Sequence, residues 1–400
     1  MPRSAAQPPA HSSRAWLLAL GCALAGCQES QPRESTKTPQ TAPTTQETPA
    51  STSRDTTVEA ATDPSSPVGY LKGSTHVHTN GSGDCTTPVV DVVSWYREHD
   101  YDFIVLTDHD RITGYRARAP DRDDLLVLPG VELTNNPKRC WPPPRRGEGC
   151  RIHVNALFLT GHRQQANVDS SMGPNRGRVR WNKQGHVWRI DMYQQALDES
   201  AALGGLTQIN HPTWYAGVDG RLLAELGTRG AHFVEIANQA FTDWNRGDTT
   251  RPSTEAIWDH ALGRGIRLFG VASDDAHHYR ERPQNGPYYP PGTGFVMVRA
   301  ERDAASIRAA MARGDFYSST GVLLADIAVD DEAVSISVAS PGAHDIAFIG
   351  TRDGRPGQTL ARQRGRRALI ARPASGYVRA VISDDRGARA WTQPVFASTQ

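Results

Sequence analysis

The sequence predicts an α/β body followed by a small all-β tail, and three observations carry that prediction. Short apolar runs recur from Tyr70 to about Gly321 with turn residues at one or both ends, and helical patterns stand between several of them. Histidines and acids cluster at or near the ends of those runs, where a parallel α/β fold builds its sites. After Gly321 the helical patterns stop and only strand-like runs remain.

The chain starts with a segment outside that body. Arg3 and Arg14 precede an apolar stretch from Ala15 to Gly26, too short to span a bilayer and suited to secretion. It ends in Leu24-Ala25-Gly26-Cys27, which resembles a bacterial lipoprotein signal with Cys27 as the lipidated residue. Residues 1–27 are therefore expected to be a signal peptide, with the mature chain anchored by lipid in the bacterial cell envelope. Residues 28–67 are chiefly Ser, Thr, Pro and Gln, with scattered charges and alanines and Val58 as the one larger aliphatic, a composition that cannot bury a core. They read as a tether spanning roughly 35 Å. With 44 basic and 43 acidic residues, the whole-chain charge gives no reason to expect nucleic acid as a partner.

Within the body, residues 68–321, strands are expected at Leu71–Thr75, Phe103–Thr107, Leu125–Leu128, Leu206–Ile209, Phe233–Ala237, Leu268–Ala272 and Phe295–Val298. Val89, Val92, Val93 and Tyr96 share a helical face, with Thr87 placed as cap and Pro88 in the first turn. Ser253–Leu262 and Asp303–Ala312 repeat the pattern, each starting on a capping residue and followed by glycine. This rhythm implies parallel pairing and a barrel-like or doubly wound sheet. In the tail, residues 322–400, the runs Val334–Val338, Ile346–Ile349, Ala368–Ala371 and Tyr377–Ile382 predict a small antiparallel β-sandwich.

The candidate site residues arrive in bursts: His76-Val77-His78, Asp84, Thr107-Asp108-His109, Pro129-Gly130-Val131-Glu132, His153, Asn210-His211-Pro212 and Ser273-Asp274-Asp275-Ala276-His277. Imidazole and carboxylate together suit borderline divalent metals. In this order the bursts resemble the polymerase and histidinol phosphatase (PHP) superfamily from about Lys72 to Gly321, and within it the carbaryl hydrolase-like branch. The resemblance implies a distorted seven-stranded (β/α) barrel and two or three divalent ions, zinc, manganese or iron. It implies a first ion on His76, His78, Glu132 and Asp275, with Glu132 bridging to a second on His153 and His211. Asp84, His109 and His277 would hold a third. Most of these residues follow their strands, but His153 precedes the run Val154–Leu159, so only the resemblance places it. Asp108 is expected to orient a neighbouring histidine or amide, and Asp275 rather than Asp274 to be the ligand. Cys85 stands where many relatives carry glycine, either as a competing thiolate or as a plain buried thiol.

Water on such ions ionises near neutral pH, so no protein nucleophile is assigned. The expected function is metal-dependent hydrolysis of a small phosphoester, with carboxyl-ester or carbamate hydrolysis as the alternative and a non-catalytic metal-binding lipoprotein as a third reading. An insertion at residues 162–190 carries Arg163, Arg176, Arg178, Arg180, Lys183 and Arg189, of which Arg176 and Arg178, with Arg280 after the last motif, are candidate phosphate contacts. The same charges also suit a solvated loop. Trp181, Trp188, Trp214, Tyr215 and Trp244 are candidates for an apolar pocket wall. Cys140 and Cys150 flank a Pro-rich loop and could pair in an oxidising compartment.

Overall fold

The computed structural model describes residues 69–115, 125–143, 149–161, 168–170, 173–183, 187–280 and 282–398. All of them belong to one compact unit, Asp63–Gln400. The expected signal with Cys27, the tether at 28–67 and Arg163 lie outside the described residues.

The first half mixes strands and helices in the order β1 (Tyr70–Val77), α1 (Val89–Glu98), β2 (Phe103–Leu106), β3 (Leu126–Asn135), β4 (Ile152–Leu157), α2 (Arg189–Ala202), β5 (Leu206–Ile209), α3 (Gly220–Thr228) and β6 (Ala231–Asn238). There follow α4 (Thr242–Arg246), α5 (Thr254–Leu262), β7 (Phe269–Ser273), β8 (Phe295–Arg299), α6 (Ala304–Arg313) and β9 (Phe316–Ser319). Helix α5 starts where the Ser253 hydroxyl accepts from Ala256 N, and α6 where Asp303 accepts from Ala305 and Ser306. Gly314, at φ 88°, ends α6 in the left-handed conformation that favours glycine. At α1 the expected cap is displaced: Pro88 occupies the cap position without a side-chain bond, and Thr87 instead accepts Asn80 N through its carbonyl. Helices α2 and α3 escaped the sequence reading, although α3 carries a regular cap in Asp219, which accepts from Leu222 N.

The sheet is mixed, which corrects the expectation of parallel pairing. Strands β1–β2–β3 and β5–β6–β7 pair in parallel, but β4 runs antiparallel to both β3 and β5, and β8 antiparallel to β1. The hydrogen-bonded ladder is also open. Its order runs β9-β8-β1-β2-β3-β4-β5-β6-β7, and β7 ends it. Because β2 and β8 occupy both edges of β1, β7 reaches β1 only through an isolated bridge between Val77 and Ala276 just past its end. The free edge of β7 is satisfied by side chains: Gln393 pairs with both Gly270 N and O (2.9 and 2.8 Å), and Ser318 Oγ accepts from Ala272 N. Starts of the parallel strands are apolar, and Phe103, Phe233, Val271 and Phe316 meet Ile307 and Met311 of α6 in one buried cluster. Each such side chain contributes about 1.5–3 kcal/mol by leaving water.

The tail holds β10 (Leu324–Val329), β11 (Ala333–Val338), β12 (His344–Arg352), β13 (Arg355–Gly365), β14 (Arg367–Ala371), β15 (Tyr377–Ser383) and β16 (Arg389–Thr392). Strands β10, β11 and β14 form a separate antiparallel sheet, while β13-β12-β15-β16 continues the main ladder through pairing of β16 with β9. Val334, Ile336, Phe348, Val378 and Ile382 fill the space between the two sheets. A buried ionic contact ties the tail to α5: Asp259 accepts from Arg379 Nε and Nη2 (both 2.8 Å) and from the Tyr377 hydroxyl (2.7 Å). Removing Asp259 leaves the buried Arg379 charge with Glu255 alone, 3.1 Å from Nη2. Asp259→Ala is therefore expected to destabilise residues 63–400 by about 3 kcal/mol, read by urea unfolding, and an unchanged midpoint would dismiss this contact as an anchor.

Candidate metal centre

The ends of the parallel strands converge at one rim. His76 and His78 are two residues apart at the end of β1, so both rings leave the same face while Val77 enters the core. His109 follows β2, Glu132 sits within β3, His211 follows β5, and Asp275 and His277 follow β7. The direction of β4 resolves the position of His153. Since β4 is antiparallel, its beginning lies beside the ends of its neighbours, and Thr134 of β3 pairs with His153.

Inside this rim some ligand-type atoms pair directly, His153 Nδ1 with Glu132 Oε1 (2.9 Å) and His109 Nε2 with Asp84 Oδ2 (3.2 Å), while those of His76 and His78 face carboxylates without hydrogen-bonding. His76 Nε2 lies 3.5 Å from Glu132 Oε2 and 3.2 Å from Asp275 Oδ1, and His78 Nε2 lies 3.4 and 3.1 Å from the same two atoms. His76 Nε2 and His78 Nε2 are buried and have no hydrogen-bond partner among protein atoms, whereas Glu132 Oε2 lies 2.7 Å from His109 Nδ1. Leaving buried polar atoms unsatisfied costs about 1–3 kcal/mol each. Ligands held about 2.1 Å from one ion at tetrahedral angles stand about 3.4 Å apart. The four atoms thus match the edges of a coordination polyhedron better than they match hydrogen bonds.

Three overlapping groups with the geometry to hold metal ions result: His76, His78 and Asp275; His109, Glu132 and His153; and His78, Asp84, His109 and His277. His78 and His109 each belong to two groups, so the structure shares ligands more widely than the three sets read from the sequence. His211 stands slightly apart, with Nε2 3.8 Å from Glu132 Oε1 and 3.9 Å from Asp275 Oδ2. Both His211 (φ 25°) and Asp275 (φ 52°) adopt left-handed backbone conformations that cost non-glycine residues about 1–3 kcal/mol. Such strain collects at sites whose geometry is imposed by the surroundings.

Charge balance follows from this crowding. Burial alone would raise the Glu132 carboxyl, but His109, His153 and His76 hold it well below the usual range, and Asp275 is held down against burial by His76, His78 and His277. Burial drives His78 and His153 down to about 4, which leaves both rings neutral, the form that binds metal. Burial would also lower His109, yet Glu132 and Asp84 lift it to about 11.

The supporting residues fall into place around it. Asp108 accepts from Thr79 N, Thr79 Oγ1 and Ser82 N, and Ser82 Oγ stands 2.8 Å from His78 Nδ1, so Asp108 orders the turn behind that ring. Asp274 turns away to accept from Gly292, Thr293 and Gly294, leaving Asp275 to face the cluster. Cys85 is buried, its Sγ facing the carbonyl oxygens of His277 (3.2 Å) and His78 (3.7 Å), and burial pushes its thiol up to about 11. Cys140 and Cys150 form a disulfide.

The opening lies on the Asp84 side, whose side chain is 56% exposed against 22% for His109 and 9% for His277. An aromatic wall borders the histidines. Trp214 meets His211 and His153 (centroids 5.0 and 5.6 Å), Phe241 meets His211 (4.8 Å), and Tyr289 meets His277 (5.8 Å). Tyr215 and Trp244 extend the wall from Trp214. Trp181 and Trp188 do not extend it by ring contact here: the Trp181 indole donates to Asp110 (2.7 Å), and Trp188 packs on Trp141. Arg176 and Arg178 are exposed on a turn fastened by Arg111, which donates to the carbonyls of Pro174 and Arg176. Arg280 pairs with Asp91 at 3.5 Å, and Arg189 is buried, donating to the carbonyls of Gly217 and Pro142. Phe241, Tyr289 and Glu235 were missed in the sequence, and only Glu235 carried a signal there: a lone acid inside the apolar run Phe233–Ala237.

No protein-family model matches this chain, and no curated protein matches it.

Two outcomes test the site. Glu132→Ala is expected to lower the metal retained per chain, measured by elemental analysis after gel filtration, whereas Arg178→Ala leaves it unchanged; equal metal content in both variants would refute the placement of Glu132. Cys85 is expected to resist alkylation in the folded protein at pH 8, where its thiol stays protonated below about 11, and to react fully in urea.

Proposed function

We propose that this chain is a metal-dependent hydrolase of the PHP superfamily acting on a small phosphoester. The observation that carries the reading is the convergence of the buried, hydrogen-bond-free ring nitrogens of His76 and His78 with the carboxylates of Glu132 and Asp275 at the strand ends. The consecutive order β1 to β7, with the end of β7 brought back to β1 at Val77 and Ala276, supports reading the body as a distorted seven-stranded barrel. His76, His78, Asp84, His109, Glu132, His153, His211, Asp275 and His277 would hold two or three ions, for which zinc, manganese and iron all suit the donors.

Bound divalent ions would bring the pKa of a coordinated water towards neutrality and draw charge from the oxygens of an ester. The chain's own residues do the rest. Asp84 and His109 face the opening and meet an incoming substrate first. A closed structural site would have its ligands sealed from solvent, so this exposure favours turnover over storage. Trp214, Phe241 and Tyr289 exclude water from one side of the histidines. Cys85 stays protonated and turned to carbonyls, which supports a nucleophile drawn from solvent. Arg176 and Arg178 would meet a phosphoryl group only by moving from their exposed turn, whereas Arg280 is engaged with Asp91.

The aromatic wall favours a second reading, hydrolysis of a carboxyl ester or carbamate with an apolar group. Lipid attachment through Cys27 and a place in the bacterial envelope remain part of the proposal and rest on the Ala15–Cys27 segment. Residues 63–400 are expected to cleave p-nitrophenyl phosphate faster than p-nitrophenyl acetate, and a chelator to abolish the rate. A chelator-sensitive preference for acetate transfers the assignment to ester or carbamate hydrolysis, and chelator-insensitive or absent turnover of both overturns the hydrolase.

A further inference from the structure

We propose that Glu235, a residue outside the ligand bursts, is a positioning residue that sets which nitrogen of His76 is available to metal. The inference rests on the reading of the rim as a metal centre, and it concerns how the chain prepares one ligand.

Glu235 lies on β6, fully buried, and five hydrogen-bonding groups converge on it. Oε2 accepts from the His211 backbone N (2.6 Å) and from Asn238 Nδ2 (2.9 Å). The orientation of Asn238 is not free, because its Oδ1 accepts from Ala240 N at 3.0 Å. Both partners of Oε2 are therefore obligate donors, and that oxygen must remain an acceptor. Oε1 lies 2.7 Å from His76 Nδ1 and also receives the Ser273 hydroxyl (2.6 Å) and Gln208 Nε2 (3.2 Å).

A carboxylate accepts and never donates when ionised, so the Nδ1 of His76 must carry a proton. In the neutral ring that leaves the lone pair on Nε2, the atom facing Glu132 Oε2 and Asp275 Oδ1 without a hydrogen-bond partner. The same carboxylate holds the backbone of His211 and, through Asn238 Nδ2, reaches Asp275 Oδ2 at 3.3 Å. One acid thus orients ligands from three segments of the sheet, an arrangement that raises ligand basicity and typically changes metal affinity 10- to 100-fold.

Glu235→Gln preserves the shape of the side chain and reverses one hydrogen-bond role. Its amide group would meet two donors at 2.6 and 2.9 Å on the Oε2 side, His211 N and Asn238 Nδ2, against one at 3.2 Å on the Oε1 side, Gln208 Nε2, so it is favoured to face His76 Nδ1. That ring nitrogen then accepts, the proton moves to Nε2, and the ligand position is blocked. A purely structural role would predict a loss of stability with the affinity of the folded protein unchanged.

The test is metal affinity, not turnover. Residues 63–400 would be stripped of metal and titrated with Zn²⁺ against a chromophoric chelator, for the wild type, Glu235→Gln, His76→Ala and the double variant. Glu235→Gln is expected to weaken the His76 site 10- to 100-fold, and to have no further effect once His76 is alanine. Wild-type affinity in Glu235→Gln, or an equal loss with and without His76, overturns the inference. Should Glu235→Gln fail to fold, ring ¹⁵N NMR of the zinc-loaded wild type decides: a proton on His76 Nδ1 with zinc on Nε2 supports it, and zinc on Nδ1 overturns it. A wild type that binds no zinc overturns the metal centre itself, an outcome distinct from zinc binding that Glu235 does not influence.

Discussion

Burial of Glu132 and Asp275 among imidazoles is the constraint on which the rest of the rim depends. Two carboxylates fully removed from water need compensating positive charge or hydrogen bonds, and here the surrounding groups are chiefly rings with a lone pair to offer. Protons on His76 and His109 can supply that charge, and divalent ions can supply it while also satisfying the partnerless nitrogens. The backbone pays for this convergence with left-handed conformations at His211 and Asp275.

The fold serves the same constraint by bringing strand ends together. Apolar residues at the strand starts pack under α6, so the sheet is tied at one end by hydrophobic burial and at the other by the polar cluster. Opening of the ladder at β7 does not disturb the rim, because Gln393 and Ser318 complete the hydrogen bonds of β7 and the Val77–Ala276 bridge keeps Asp275 beside His76. The tail therefore acts on the site indirectly: Gln393, a tail residue, holds the strand that delivers Asp275 and His277. The Asp259–Arg379 contact fastens the same tail to α5.

Much of the site was legible in the chain because ligand chemistry is local. Two histidines at i and i+2 in a strand share a face whatever surrounds them, and an Asp-x-His after an apolar run marks a strand end. What escaped was relational. His153 stands before its strand and reaches the rim only because β4 runs antiparallel, and Arg280, close in sequence to the last ligands, is drawn to Asp91 on α1. Helix α2 was obscured by the basic run that leads into it, and Arg189, its first residue, proved to be a buried clasp between two loops.

The sequence by itself determined which imidazoles and carboxylates are candidate metal ligands, where most strands lie, and that the tail would be antiparallel, since these follow from side-chain type and local period. Only the tertiary structure decided strand direction, the open edge at β7, the sharing of His78 and His109 between groups, and the place of Glu235 behind His76. Each of these depends on which segments become neighbours. Hydrogen-bond pairing and the desolvation of charge are set across distances in the chain that no local pattern records.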